Sequence, residues 1–155
     1  MIDVIQLKNN VIVPVLEKLE LYSESAVNLL LGTCAQESKL GTYLVQIKGP
    51  ALGFYQMEPA TYADLWTNYL DNRPYMRKKI LEICGYCDKP SPERMIDDLR
   101  LSTIMSRIHY LRVPKPLPAA NDIEGLGLYW KIYYNTKNGK GTVPEFVRNY
   151  REYVA

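Results

Sequence analysis

Residues 23–41 read SESAVNLLLGTCAQESKLG and contain the clearest helix signal in the chain. Ser23 suits the N-cap because its hydroxyl can accept a hydrogen bond from a free amide of the first turn. Apolar residues from Ala26 to Cys34 recur at helical spacing, and Gly41 follows as a residue that can end a helix. We therefore predict a helix from Ser23 to about Ser38, with Glu37 in its last turn.

The segments on either side of this helix differ in their periodicity. Residues 42–56 alternate with a period of two around the turn signal Lys48-Gly49-Pro50, which predicts a small β-hairpin or extended lobe. Most other segments have helical spacing. They are residues 4–21 with a break at Pro14, a helix starting near Pro59, one opened by Pro74, a long helix from Glu93 to before Pro114, one from about Asp122 to Tyr134, and a last helix opened by the capping-box pattern Thr142–Glu145. The pattern predicts a mainly α fold with a small lobe after the second helix, in a single domain over residues 1–155.

Composition and charge exclude several function classes. The chain has 155 residues, of which 47% are hydrophobic and 23% charged, as in ordinary globular proteins. Its 19 basic and 17 acidic residues are too balanced to favour a nucleic-acid partner. No apolar run is long enough for a membrane span, and the N-terminal residues lack the pattern of a signal peptide. The 13 tyrosines suit a groove for sugar rings, or any half-buried surface.

Three cysteines and one histidine are the residues that a metal site would need. An odd number of cysteines without a signal peptide favours reduced thiols. Cys84-Gly-Tyr-Cys87 could form half of a zinc site, but Cys34 and His109 lie on separate predicted helices and do not form a second close pair. We expect neither a metal nor another cofactor.

Glu37 is the clearest candidate for a catalytic residue. The C-terminal end of a helix carries partial negative charge, and apolar neighbours would remove water from the carboxyl group. Both effects predict a raised pKa, and a carboxyl that is neutral near pH 7 can donate a proton to a leaving oxygen, as glycosidic cleavage requires. The alternative is a solvated helix-end glutamate, which is the commoner case for a single residue of this type.

Two further motifs follow Glu37-Ser38 in a recognisable order. One is Gly53-Phe54-Tyr55-Gln56-Met57-Glu58-Pro59, and the other is Tyr133-Tyr134-Asn135 at the end of a later helix. Over residues 23–150 the arrangement resembles the lysozyme-like lytic transglycosylases of the soluble (SLT) type, found in bacteria and phages. In that family the motifs E-S, G-L-M-Q-x-x-P and A-Y-N occur in this order. The resemblance implies an α+β lysozyme-like fold in which the lobe and the helices enclose a glycan-binding groove.

The sequence departs from the family pattern at three places. Phe54-Tyr55 replaces Leu-Met, Tyr133 replaces the alanine of A-Y-N, and the glycine expected soon afterwards is displaced to Gly139 or Gly141. These departures leave the acid in place and put the sugar preference of the groove in doubt.

The resemblance implies a role for each matching residue. Glu37 would protonate the glycosidic oxygen between N-acetylmuramic acid and N-acetylglucosamine, and then accept a proton from the muramyl 6-hydroxyl to give a 1,6-anhydro product. The implied substrate-binding or positioning residues are Ser38, Gly53, Tyr55, Gln56, Tyr110, Tyr134 and Asn135. Purely structural roles remain open for them, such as a helix cap for Asn135 or a backbone hydrogen bond in the lobe for Gln56.

The number of carboxylates separates two reaction types. Most glycoside hydrolases use a second carboxylate about 5–9.5 Å from the acid. Glu58 and Asp64 follow the lobe, but both suit the start of a helix, where acidic residues favour the helix dipole. This favours the single-acid transglycosylase, while a hydrolytic muramidase using Glu37 and Glu58 remains open.

The resemblance also bears on where the protein would act. Its implied partner is the glycan strand of peptidoglycan, and its implied source is a phage, either in the virion or as an endolysin made in the host cytoplasm. Without a signal peptide, such an enzyme would reach the periplasm or cell wall through a holin-type pore or from the virion. A catalytically inactive structural or wall-binding module of the virion is the non-enzymatic alternative.

Overall fold

The computed structural model of the protein describes residues 1–135 and 139–155. Helices dominate these residues, which confirms the expectation of a mainly α fold. The α-helices are α1 (Val4–Leu7), α2 (Val13–Lys18), α3 (Glu24–Ser38), α4 (Pro59–Asn68), α5 (Pro74–Cys84), α6 (Leu99–Leu111), α7 (Ile123–Trp130) and α8 (Val143–Tyr153). π-helical turns cover Lys8–Ile12 and Lys131–Asn135, and short 3₁₀ helices cover Leu70–Asn72 and Pro92–Ile96. Within these ranges, no helix is both long and apolar enough to cross a bilayer.

Helix α3 lies at the centre of the fold and has the bounds that the sequence predicts. The hydroxyl of Ser23 accepts a hydrogen bond from the amide of Ala26 at 3.0 Å, which makes it the N-cap. Lys39 adopts a left-handed conformation and ends the helix. Leu30 and Cys34 are fully buried, so α3 is in contact with other elements along most of its length.

The hydrophobic core has two parts. The first packs α3 against α7 and α8 and includes Leu30, Trp130 and Phe146. The second packs α4 and α5 against α6 and includes Trp66 and Ile104. Helix α6 contributes to both parts, and its C-terminal end therefore lies close to α3 and to the segment after α7.

Two predicted helix bounds were wrong. The chain does not break at Pro14, because a π turn precedes the proline and the amide of Val13 bonds the carbonyl of Lys8, five residues earlier. The helix expected from Glu93 begins at Leu99 instead. Asp98 is its N-cap and accepts a hydrogen bond from the amide of Leu101 at 2.9 Å, so the preceding residues form a separate 3₁₀ helix.

The lobe of residues 42–57 is extended, and the hairpin alternative is not confirmed. Its pairing consists of two isolated antiparallel bridges, Val45–Leu52 and Leu52–Met57. Lys48 and Gln56 have positive φ angles of 59° and 49°, which turn the chain before regular strands can form. Since residues 42–50 are all exposed, their alternation does not reflect one buried face.

Gly53 lies where the lobe closely approaches the backbone of Met95. Its φ of +80° favours glycine, and a Cβ atom built on it would meet the carbonyl oxygen of Met95 at 2.2 Å. Gly85, at the end of α5, has a similar φ of +78°, but a Cβ atom there would meet nothing within 4 Å.

Replacing these two glycines separates backbone strain from steric contact. Gly85→Ala should lower the free energy of unfolding by about 1–2 kcal/mol, the cost of a left-handed alanine. Gly53→Ala should lower it by about 2–4 kcal/mol, because the Met95 backbone must also move. Urea denaturation of both variants measures the difference, and equal losses would show that the lobe does not depend on this close approach.

Candidate active site

A cleft of about 940 Å³ opens between the end of α3, the lobe and the segment after α7. The end of α6 and the start of α8 complete its walls. The lining residues are Gln36, Glu37, Gln46, Ile47, Lys48, Ala51, Gln56, Met57, Glu58, Thr61, His109, Trp130, Tyr134, Asn135, Gly139, Lys140, Gly141 and Glu145. Four of the sequence-predicted site residues, namely Glu37, Gln56, Tyr134 and Asn135, are therefore brought together.

Glu37 lies partly buried in the cleft wall, in the last turn of α3. Burial raises the pKa of its carboxyl group to about 7, from an ordinary value of 4.5. A hydrogen bond from the indole Nε1 of Trp130 to Oε1, at 2.9 Å, acts in the opposite direction because it favours the ionised form. Burial is the larger effect, so neutral and ionised forms coexist near neutral pH. The raised pKa agrees in direction with the sequence-based expectation.

Trp130 contacts Glu37, and the sequence did not reveal this contact. Its ring is fully buried and stacks on Phe146 with 5.5 Å between ring centroids. Gly141 lies against the six-membered part of the indole, where a Cβ atom would approach the ring to 2.6 Å. The sequence indicated only an inward-facing tryptophan. A buried indole N–H needs a hydrogen-bond acceptor, and this was the one hint in the sequence that Trp130 contacts a polar group.

Tyr134 forms one side of the cleft, but its hydroxyl group is engaged in the fold. The hydroxyl donates a hydrogen bond to the backbone carbonyl of Tyr55 at 2.7 Å. Its ring stacks on Tyr110 at 5.2 Å and meets the edge of His109 at 5.1 Å. Tyr134 therefore lines the cleft with its ring held between neighbouring aromatic side chains.

Tyr55 and Tyr110 lie in the core and do not line the cleft. Each is 1% exposed. The hydroxyl of Tyr55 is hydrogen-bonded with that of Thr103 at 3.0 Å, and the hydroxyl of Tyr110 with that of Thr33 at 2.8 Å. In this arrangement they act as support for Tyr134 and do not reach a ligand in the cleft.

Ser38 joins the lobe to α3. Its hydroxyl is fully buried, donates to the carbonyl of Phe54 at 2.6 Å and accepts from the amide of Gly41 at 2.9 Å. Ser38 therefore holds a backbone carbonyl of the lobe, and Gly53 lies against the backbone of Met95 and does not line the cleft. Gln56 does face the cleft, and its Nε2 donates to the carbonyl of Gly53 at 2.9 Å.

Asn135 is held by a lysine and not by the catalytic candidate. Its Oδ1 accepts a hydrogen bond from Nζ of Lys131 at 2.7 Å. The same ammonium group donates to the carbonyls of Gly139 at 2.8 Å and Gly141 at 2.6 Å, so its three N–H donors each have an acceptor. Lys131 thereby fixes the segment 139–141 beside Trp130.

Three carboxyl groups face the cleft. They belong to Glu37, Glu58 and Glu145, the last of which sequence reasoning missed because it comes 108 residues after Glu37. Asp64 does not line the cleft. Hydrogen bonds from Asn68 and Arg112, the latter at 2.6 Å, keep its pKa below the ordinary range.

His109 and the three cysteines are further reactive side chains of the protein. Burial lowers the pKa of His109 to about 4, so its ring is neutral in the cleft near pH 7. Cys34 is buried, Cys84 is half-buried and Cys87 is exposed, all as free thiols. Residues 1–135 and 139–155 contain no cluster of three or more His, Cys, Asp or Glu side chains that could hold a metal ion.

Comparisons with known proteins give no assignment. No protein-family model, curated protein or solved structure matches the chain.

The Trp130 hydrogen bond can be tested through the acidity of Glu37. Trp130→Phe removes the donor that favours the carboxylate, so the pKa of Glu37 should rise further above its wild-type value. Trp66→Phe makes the same change in the other fully buried tryptophan, in the second core, and should leave the pKa of Glu37 unchanged. NMR titration of the Glu37 carboxyl carbon measures both. An unchanged or lower pKa in Trp130→Phe would contradict the assigned bond.

Proposed function

We propose that this protein cleaves the bond between N-acetylmuramic acid and N-acetylglucosamine in peptidoglycan, as a lytic transglycosylase with Glu37 as its catalytic acid. The observation that carries the proposal is a carboxyl group with a pKa of about 7 in the wall of a cleft of about 940 Å³. A cleft of this size can hold several atoms of a glycan on each side of the bond to be broken. The order of the sequence motifs supports the same family of reactions.

The chemistry needs one group that acts first as an acid and then as a base. Neutral Glu37 donates its proton to the glycosidic oxygen while the bond from that oxygen to C1 of the muramyl residue breaks. The carboxylate formed then accepts the proton of the muramyl 6-hydroxyl as its oxygen bonds to C1. The acid is restored, no water is added, and the product is a 1,6-anhydro sugar. A pKa near 7 suits both steps because neither form of Glu37 is strongly favoured.

The cleft contains groups that suit a sugar chain. Tyr134 lines the cleft with an aromatic side chain, and Gln56 and Asn135 line it with polar side chains. The aliphatic side chain of Ile47 stands on the lobe side of the same cleft. On the motif resemblance, we assign the protein to phage lysis or virion function, with glycan strands as its partner.

A hydrolytic muramidase is the second candidate, because two further glutamates line the same cleft. Glu58 and Glu145 both line the cleft together with Glu37. Either could activate a water molecule against the opposite face of the sugar if its distance from Glu37 suits an inverting mechanism. The two reactions give products that differ by one molecule of water.

Mass spectrometry of digested peptidoglycan tests the proposal. The wild type should release muropeptides about 18 mass units lighter than hydrolytic products, because water is not added. Cleavage should slow as pH rises through about 7, since Glu37 loses the proton that it must donate. Glu37→Gln should release no product.

Glu82→Gln is the matched control, since this exposed glutamate on α5 does not line the cleft, and it should cleave like the wild type. Hydrolytic products that disappear in Glu58→Gln or Glu145→Gln would establish the muramidase instead. Wall binding without cleavage by the wild type would favour the inactive module.

A further inference from the structure

The lobe has an unpaired backbone edge at Val45. The pair Val45–Leu52 is flanked by two hydrogen bonds, from the amide of Gln46 to the carbonyl of Ala51 at 2.9 Å and from Gly53 to Leu44 at 2.7 Å. In an antiparallel pair, the residue between two such bonds directs its own N–H and C=O away from its partner. Accordingly, neither backbone group of Val45 has a backbone partner among residues 1–135 and 139–155.

Leu52 is the middle residue of the same small sheet, between Val45 and Met57. Leu52 exchanges two hydrogen bonds with Met57, at 2.9 and 3.0 Å, so its backbone groups are used inside the lobe. The Val45 side of this three-segment arrangement is open for a further strand. Unpaired edges of this kind bind extended peptides through main-chain hydrogen bonds.

The edge continues directly into the cleft. Val45 is 49% exposed and Ile47 is 71% exposed, which are high values for large aliphatic side chains. Ile47 and Lys48 both line the cleft that contains Glu37. A ligand in the cleft could therefore extend from the sugar-binding region onto the Val45 edge.

The length and chemistry of the edge define what it can hold. Lys48 has a φ of 59° and turns the chain, so the edge offers one residue pair and suits a short peptide. The aliphatic surfaces of Val45 and Ile47 suit small side chains such as alanine. The ammonium group of Lys48, at the cleft end, suits a carboxylate. A short, alanine-containing, acidic peptide attached to a sugar satisfies all three conditions.

We infer that the Val45 edge binds the stem peptide of the muramyl residue by adding it as a strand to the lobe. This inference rests on the proposed function, because the glycan in the cleft carries that peptide. The enzyme would then favour peptide-bearing strands over bare glycan. Val45 would act in binding and take no part in the proton transfers of Glu37.

Replacing one backbone donor gives a direct test. Val45→Pro removes the outward N–H group and leaves the two flanking hydrogen bonds in place, since they do not use that amide. Val45→Thr keeps both the amide and the branched side-chain shape and serves as the matched control. Circular dichroism and thermal unfolding establish that each variant folds like the wild type.

Cleavage rates are compared on glycan with stem peptides and on the same glycan after an amidase has removed them. The wild type and Val45→Thr should cleave the peptide-bearing strands faster. Val45→Pro should lose about 5- to 10-fold on these strands only, the usual effect of one net hydrogen bond. Equal wild-type rates on both glycans, or an equal loss on both in Val45→Pro, would overturn the inference.

A binding measurement separates this inference from the proposed function. N-acetylmuramyl tripeptide is titrated into ¹⁵N-labelled Glu37→Gln protein, in which no cleavage can occur. A shift of the Val45 amide resonance, together with weaker binding in the Val45→Pro, Glu37→Gln double variant, supports the peptide site even if neither glycan is cleaved. Absence of that shift at saturating ligand overturns the site even if cleavage is observed.

Discussion

The carboxyl group of Glu37 is held between two opposing influences, and the rest of the site depends on which one is larger. Burial at the end of α3 favours the neutral form, while the indole N–H of Trp130 favours the ionised form. Burial is the larger influence and brings the pKa to about 7. A single exposed glutamate would be ionised at this pH, and a fully buried one without a donor would stay protonated. The intermediate position allows one group to serve as acid and base.

The raised pKa of Glu37 makes the free energy of unfolding depend on pH. The pKa of Glu37 is higher in the folded chain than in the unfolded one, so the folded state gains protons between the ordinary value of 4.5 and about 7. Stability contributed by this group is therefore present below pH 4.5 and is lost as pH rises to 7. The loss is at most about 3 kcal/mol, and less because the group is partly exposed. The side chain that donates to Glu37 is closely packed, since Trp130 stacks on Phe146 and lies against Gly141.

Local signals in the sequence predicted a good part of this fold. The Ser23 and Thr142 caps and the bounds of α3 depend on neighbours within a few turns, and the structure agrees with them. The pKa of Glu37 is raised as predicted, although its burial also depends on the tertiary fold. Contacts between distant residues were not predictable in the same way. Trp130 follows Glu37 by 93 residues, and no local pattern indicates that the two side chains meet. The lobe was ambiguous because alternation of residues describes a strand only where one face is buried, and here both are exposed.

The protonation state of Glu37 in the folded wild-type protein is the central claim, and it can be measured without any substrate. The chemical shift of its side-chain carboxyl carbon, followed by NMR from pH 3 to pH 9, gives the pKa of this one group. The account predicts a midpoint near 7. A midpoint near the ordinary value of 4.5 would mean that water reaches the carboxyl freely, and it would contradict both the buried site and the single-acid chemistry built on it.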